Sequence, residues 1–441
     1  MADSPDPRPS GDRSPRGFST RAIRAAHRVP VVDQTPTSVP IYQTVTFTSA
    51  DAEELGAVTT REIPGYSYGR LDNPTVVAFA SAVAELEGAE AGFAFGSGMA
   101  AIHAALGTLL SAGDRVVVTQ ASYGTTRSQL VNVFGRLGVG VRFVDVSDLG
   151  AVEAALAEAP TRILYAETIS NPTIVVADHA ALADVAHRHG ATYVVDNTFA
   201  SPYLCRPVEL GADLVCESAT KYLAGHSDVM AGVVAGGRTL IDRVRDFQVD
   251  TGGSLDPHAA FLAMRGLSTL ALRMERHSAT ASGLAAWLAA QPGVNRVWHP
   301  SLAGHPQHAV AARQLARPGG MLAFELAGGR AAGEAFIDAL TIPERTASLG
   351  SVFTIVAHPP STTHRQLDDA ALAAAGITPG LLRCSVGLED LDDLVADFAQ
   401  ALGAAIEAAG AGGSADDVPD DGDDRPAGAE DQPALATPTP A

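Results

Sequence analysis

Between residues 115 and 236 the chain alternates short β-branched runs with helical patterns, and this rhythm constrains the fold more than any other feature. Arg115–Thr119 (RVVVT), Val141–Val146, Arg162–Glu167, Thr192–Asp196 (TYVVD), Asp213–Cys216 and Val229–Val234 read as strands, apolar and bounded by Gly, Asn or Pro. Between them, Asp178–His189 (DHAALADVAHRH) opens on an N-cap aspartate and closes before Gly190, as a helix does. Such alternation predicts an α/β fold: a mostly parallel sheet with helices on both faces. From about residue 257 the pattern changes to long helices, Pro257–Leu288 and Gly333–Leu340, with short strands Met321–Leu326 and Leu381–Ser385. That predicts a large domain over 66–256 and a smaller C-terminal α+β domain over 257–410. Residues 18–65 have weak periodicity and read as an extended N-terminal arm.

Composition narrows the partners. No apolar stretch approaches the roughly 18–20 residues that cross a bilayer. The first seventeen residues are polar, Pro-rich and carry three Asp, which suits neither a secretory nor a transit peptide, and they are expected to be disordered. Three cysteines, Cys205, Cys216 and Cys384, are too scattered for a disulfide framework or a zinc site, and no metal is expected. Residues 411–441 hold eight acidic groups against Arg425, so much of the formal charge of −20 lies in a tail that reads as a disordered, solvating extension. No basic stripe offers phosphate neutralisation, so no nucleic-acid partner is expected. A cytoplasmic protein acting on a small molecule fits.

One residue type is nearly absent. Of 30 basic residues a single one, Lys221, is lysine. An arginine supplies a positive charge equally well, but its guanidinium does not lose a proton near neutral pH and cannot be an amine nucleophile. The neighbourhood of Lys221 strengthens that functional reading. In an open parallel sheet ligands bind beyond the carboxyl ends of the strands. There the sequence places Glu167 with Asn171, Asp196 with Asn197, and Ser218-Ala219-Thr220-Lys221. The cluster Phe95-Gly96-Ser97-Gly98-Met99-Ala100 precedes an apolar helix, and free amides at a helix N-terminus cradle phosphate. As a dinucleotide fingerprint it fails, because no acidic residue follows at the ribose distance. Phosphate, a strand-end carboxylate and one amine together point to pyridoxal 5'-phosphate. Tyr123, after the first of the buried strands, is placed to stack on its ring.

Ser218–Gly232 (SATKYLAGHSDVMAG) closely resembles the Schiff-base motif of the Cys/Met-metabolism pyridoxal-phosphate enzymes, the trans-sulfuration family. The likeness runs from about 18 to 405, through YSYGRLDNPT (66–75), GSGMAA (96–101), YGTT (123–126), SNP (170–172), VDNT (195–198), SLDPHAAFLAMRGLSTLALRMERH (254–277), SLG (348–350), HPPSTTH (358–364) and LLRCSVGLEDLDDL (381–394). The resemblance implies an aspartate-aminotransferase-like fold, with Lys221 as the lysine that holds the cofactor and carries the proton. Asp196 would pair with the pyridine nitrogen, and Tyr123 would stack on the ring and protonate the leaving group. Gly98, Met99, Ser218 and Thr220 would bind the phosphate, together with Tyr68 and Arg70 of a neighbouring subunit. Arg383 would clamp the substrate carboxylate, assisted by Asn171 and Ser348. The implied assembly is a homotetramer of homodimer pairs.

The implied chemistry is loss of a group from Cγ of an amino acid, followed either by hydrolysis to 2-oxobutyrate and ammonia or by addition of a thiol. Thr125 stands where methionine γ-lyases commonly carry a cysteine. Phe353 stands where many relatives acting on cystathionine have a glutamate, which favours a shorter or less polar Cγ substituent. HPPSTTHRQL resembles sulfhydrylases, whereas GHSDVMAG and MRGLSTLALRMERH resemble lyases and synthases. The first expectation is γ-elimination (with β-elimination as a side activity) on methionine, homocysteine or cystathionine. The alternative is Cγ replacement, as in an O-acylhomoserine sulfhydrylase or a cystathionine γ-synthase. A metal-hydrolase reading of His299, His305, His308, His358 and His364 lacks a close helical ligand pair.

Overall fold

The computed structural model describes residues 35–362, 365, 372 and 376–412. The N-terminal residues 1–17, the first part of the arm, His364 and nearly all of the acidic tail lie outside them.

A seven-stranded sheet forms the larger body. Its strands are β1 (Ala91–Phe95), β2 (Arg115–Thr119), β3 (Gly140–Val144), β4 (Ile163–Glu167), β5 (Thr192–Asp196), β6 (Leu214–Glu217) and β7 (Gly232–Gly236), in the order β1-β7-β6-β5-β4-β2-β3. β2 to β6 run parallel, and β7 lies antiparallel between β6 and β1. Side chains alternate between faces. Val116, Val118, Tyr165 and Val194 pack with helices Gly98–Leu109 and Arg238–Thr251 on one side. Val117, Leu164, Tyr193 and Val195 pack with helices Leu149–Glu158 and His179–Arg188 on the other. Burial on both faces is why these strands read as unbroken apolar runs. Asp178 caps its helix by accepting from Ala181 N, and Gly190 follows in the left-handed region.

The smaller C-terminal domain holds an antiparallel sheet of β8 (Val294–Trp298), β9 (Met321–Leu326), β10 (Ile355–Ala357) and β11 (Leu381–Ser385), ordered β10-β11-β9-β8. Phe324 on β9 meets Phe336 edge-on at 5.4 Å between centroids, and Phe398 closes the cluster. Leu284 and Leu288 pack beside them.

Several elements differ from the sequence reading. Ala91–Phe95 (AGFAF) is a strand that lacks β-branched residues, held by pairing along its whole length with β7. The expected helix Pro257–Leu288 is two, Pro257–Leu267 and Leu270–Leu288. At the break Ser268 and Thr269 turn their hydroxyls back onto the carbonyls of Met264 and Gly266. The arm contains a short helix, Ala52–Thr59, capped by Asp51. Among the described residues no helix is long and apolar enough to cross a membrane.

Candidate active site

Parallel register sets the site. Glu167 on β4 lies beside Asp196 on β5, and Asp196 beside Cys216 on β6, so the chain leaving β6 carries Ser218–Lys221 along the same edge. Ser218 N donates to Thr198 Oγ1 (2.8 Å), tying this segment to the residue two beyond Asp196. Helix Gly98–Leu109 points its N-terminus here, with Ser97 as cap. The first-turn amides of Gly98 and Met99 have no acceptor inside the helix. A Cβ on Gly98 would fall 2.6 Å from Ser218 Cβ and 2.7 Å from its Oγ, so only glycine lets the helix end and the lysine segment meet.

Burial pushes the Asp196 carboxyl above the usual aspartate range, with Thr198 N (3.0 Å) and the Tyr165 hydroxyl (3.4 Å) as its polar neighbours. Glu167 is raised further, by burial first and by the charge of Asp196 second. Its Oε1 accepts the backbone N–H of Tyr123, which places the half-exposed tyrosine over this edge. Behind Asp196, Asn197 donates to Glu87 Oε1 (3.0 Å), while Glu87 Oε2 and Glu217 Oε1 are buried without partners among the described residues. Both glutamates are buried, and burial lifts Glu87 to about 7. Neither was singled out in the sequence, where Glu87 reads as one of several surface acids at a helix end. The one available signal was Glu217 at the end of an otherwise apolar strand.

The cations occupy the other side. Lys221 Nζ donates to Ser348 Oγ at 2.6 Å. Burial, with Arg383 nearby, lowers its amine to about 8. Arg383 on β11 is 6% exposed, and burial lowers its guanidinium too. Its Nη1 donates to Asn171 Oδ1 (3.2 Å) and its Nη2 to the Ser348 carbonyl (2.7 Å), while its Nε has no partner. A buried arginine with a free Nε, facing a depressed lysine, is arranged to receive a carboxylate.

Lys221, Ser348, Asn171 and Arg383 are therefore linked directly, and Gly98 lies against Ser218. The Thr220 hydroxyl accepts from Ala231 N (3.1 Å) and donates to Ala231 O (3.2 Å). Tyr68 and Arg70 stand apart, with the Arg70 guanidinium 5.6 Å from the Tyr68 ring centroid and bonded to the Val249 carbonyl. The histidines are structural: His299 bonds Ser301, His305 the Ile174 carbonyl, His308 the Pro300 carbonyl and His358 the Pro379 carbonyl. Among the described residues no group of three or more His, Cys, Asp or Glu could hold a metal.

These residues fit pyridoxal phosphate. The Gly98–Ser218 cradle suits the phosphate, the part-buried Asp196 suits a protonated ring nitrogen, and Lys221 suits the aldehyde.

Comparison with known proteins agrees. The sequence pattern of the family described as Cys/Met metabolism PLP-dependent enzyme matches residues 19–403. An L-methionine gamma-lyase from Pseudomonas putida is 48% identical over 389 residues, 88% of this chain and 97% of that one. An O-succinylhomoserine sulfhydrylase from Pseudomonas aeruginosa is 43% identical, over 88% of this chain and 95% of the relative. The crystal structure of a cystathionine gamma synthase from Xanthomonas oryzae pv. oryzae superposes with a TM-score of 0.80 at 37% identity, covering 84% of this chain and 94% of that one. With its strand-end lysine, its buried acids and its phosphate cradle, the chain belongs to the Cys/Met-metabolism family of pyridoxal-phosphate-dependent enzymes.

Proposed function

We propose that this enzyme is a carbon–sulfur lyase that removes the γ-substituent of a sulfur amino acid, with methionine the first candidate. Methionine and water would give methanethiol, ammonia and 2-oxobutyrate. The observation that carries the reading is the Arg383–Ser348–Lys221 chain, in which a buried guanidinium and an amine bond the same residue, as a carboxylate clamp and a proton acceptor would need. The 48% identity to a methionine gamma-lyase supports the choice of substrate.

Bound pyridoxal phosphate supplies an electron sink for the carbanion formed at Cα. The chain's own residues do the rest. Arg383 holds the substrate carboxylate through Nε and an Nη, while Asn171 and the Ser348 carbonyl fix the guanidinium plane. Lys221, with its affinity for protons lowered by burial and Arg383, takes the Cα proton and then a Cβ proton, whose bond pair expels the Cγ substituent, and is steered by the Ser348 hydroxyl. Asp196 keeps the ring nitrogen protonated. The Gly98 and Met99 amides and the Ser218 hydroxyl hold the phosphate, and Thr220 joins them by exchanging its long bond to Ala231. Tyr123 covers the ring and protonates the departing sulfur. Phe353 suits an apolar Cγ substituent.

In this reading Tyr68 and Arg70 reach the phosphate of a neighbouring subunit, so a homodimer is the smallest complete unit and two dimers make a homotetramer in the cytoplasm. The chain then divides into an arm over 18–65, a cofactor-binding domain over 66–256 and a C-terminal domain over 257–410.

The 43% identity to a sulfhydrylase favours a second reading, Cγ replacement by sulfide on an O-acylhomoserine. Product NMR separates the two. Holoenzyme given methionine should form 2-oxobutyrate, and given O-acetylhomoserine with sulfide it should still form mostly 2-oxobutyrate. Mostly homocysteine in the second reaction, with methionine untouched, would replace the lyase reading by the sulfhydrylase one.

A further inference from the structure

The motif around residues 254–277 contributes no side chain to the lysine–arginine site described above, yet it holds a buried cation. Arg273, 4% exposed on helix Leu270–Leu288, donates Nη1 to the Tyr222 carbonyl (2.6 Å) and Nη2 to the carbonyls of Leu223 (3.2 Å) and Gly266 (2.8 Å). Its Nε donates to Thr269 Oγ1 at 3.0 Å. Among the described residues no carboxylate pairs with it. Burial lowers its guanidinium to about 10.

Its acceptors explain how such a charge is tolerated. Residues 218–225 form a short coil: Lys221 N bonds Ser218 O, Ala224 N bonds Ala219 O, and Gly225 N bonds Lys221 O. Gly225 ends the coil in the left-handed region at φ 77°. The last carbonyls of a helical turn lack partners within it and carry the negative end of its dipole. Tyr222 and Leu223 supply two of these, and Gly266, in the last turn of helix Pro257–Leu267, supplies a third. One guanidinium thus joins the coil to the C-terminus of helix Pro257–Leu267, and the carbonyl dipoles of both act as its counter-charge. Two glycines make room. A Cβ on Gly225 would lie 2.1 Å from Arg273 Nη1, and one on Gly266 would lie 2.3 Å from the Ala224 carbonyl oxygen. The coil then reaches the substrate side, because Gly225 O accepts from Val352 N (3.0 Å) in the loop that carries Ser348.

We propose that Arg273 is the positioning residue of Lys221: by capping the coil that carries the lysine and docking it on helix Pro257–Leu267, it fixes where Nζ meets Ser348 and the reacting carbon. This rests on the reading of Lys221 as the cofactor lysine and proton acceptor.

Arg273→Lys keeps the charge but cannot span three carbonyls. In the holoenzyme, kcat for methionine should fall about tenfold or more with KM little changed. The isotope effect with α-deuterated methionine should rise, because proton transfer to a misplaced amine becomes the slower step. Cofactor-free Arg273→Lys should also develop the visible band of bound pyridoxal phosphate about tenfold more slowly. Gly266→Ala, which pushes the coil and helix apart and leaves Arg273 in place, should move the same readouts in the same direction and serves if Arg273→Lys does not fold. Leu284→Ala, buried on the same helix and chosen for a comparable loss of Tm, should move neither. If Arg273→Lys and Gly266→Ala lose Tm as Leu284→Ala does, with isotope effect and uptake rate at wild-type values, Arg273 only staples the fold and the proposal fails. Wild-type protein that leaves methionine unreacted would break the lyase reading alone, and the uptake rates would still decide the role of Arg273.

Discussion

The two sides of the active site are imbalanced in opposite directions. Asp196, Glu167 and Glu217 at strand ends and Glu87 at the end of the helix behind them are all held above their usual carboxyl ranges chiefly by burial. Across from them Lys221 and Arg383 are held below theirs, again chiefly by burial. The two groups do not neutralise each other, because the acids bond to backbone, tyrosine and asparagine, and the cations to serine and asparagine. Each side is shaped for a ligand charge of the opposite sign: a ring cation for the acids, a carboxylate for the cations. A site built this way discriminates by charge before it discriminates by shape.

The largest break in that comparison is Lys221→Ala. Turnover should fall by at least about 10³-fold, since the proton acceptor and the cofactor attachment go together, and product assay at saturating cofactor checks it. Full activity would remove Lys221 from the chemistry. Arg383→Lys should cost about 10²-fold in kcat/KM, expressed mainly in KM, because a point charge cannot replace a bidentate grip. A change confined to kcat would argue against a carboxylate clamp. Arg70→Ala should weaken cofactor retention about tenfold, the loss of one charge-assisted bond to phosphate, as read by dialysis and absorbance. Unchanged retention would leave Arg70 outside the phosphate site.

The smallest effect sharpens the contrast by pH. Glu87, raised from about 4.5 to about 7, binds more protons folded than unfolded between those values. Its contribution is therefore present below the lower value and is lost as pH rises through the window. Lys221, lowered from 10.5 to about 8, has the opposite sign, so stability should rise with pH between those values. Melting curves of cofactor-free protein should show the Tm advantage of wild type over Glu87→Gln shrinking from pH 5 to pH 8. Parallel curves would mean Glu87 does not titrate in that window.

The acid side was the more legible in sequence. Strand ends follow from local patterning, and Arg115–Thr119 and Thr192–Asp196 have the bounds their β-branched runs suggest. The single lysine drew attention because its chemistry cannot be traded for arginine. The substrate side could not be assembled from local signals: Asn171 and Arg383 meet across 212 residues, and Lys221 and Ser348 across 127. Family likeness named those residues, and tertiary packing brings them together. Local patterning also missed Ala91–Phe95, whose strand character comes from its partner, and Arg273, whose acceptors are backbone carbonyls and leave no trace in residue identity.

The order β1-β7-β6 also bears on how the protein is made. β1 ends at Phe95 and β7, the strand paired along its whole length, begins at Gly232, with the parallel strands β2 to β6 emerging in between. At ribosomal rates of roughly 5–20 residues per second, that interval lasts on the order of ten seconds. During it the nascent chain carries an unpaired strand edge, the feature that most invites association between chains. Synthesis must therefore pass Gly236 before β1 can pair along its whole length, and any pause just upstream of it prolongs the exposure of that edge.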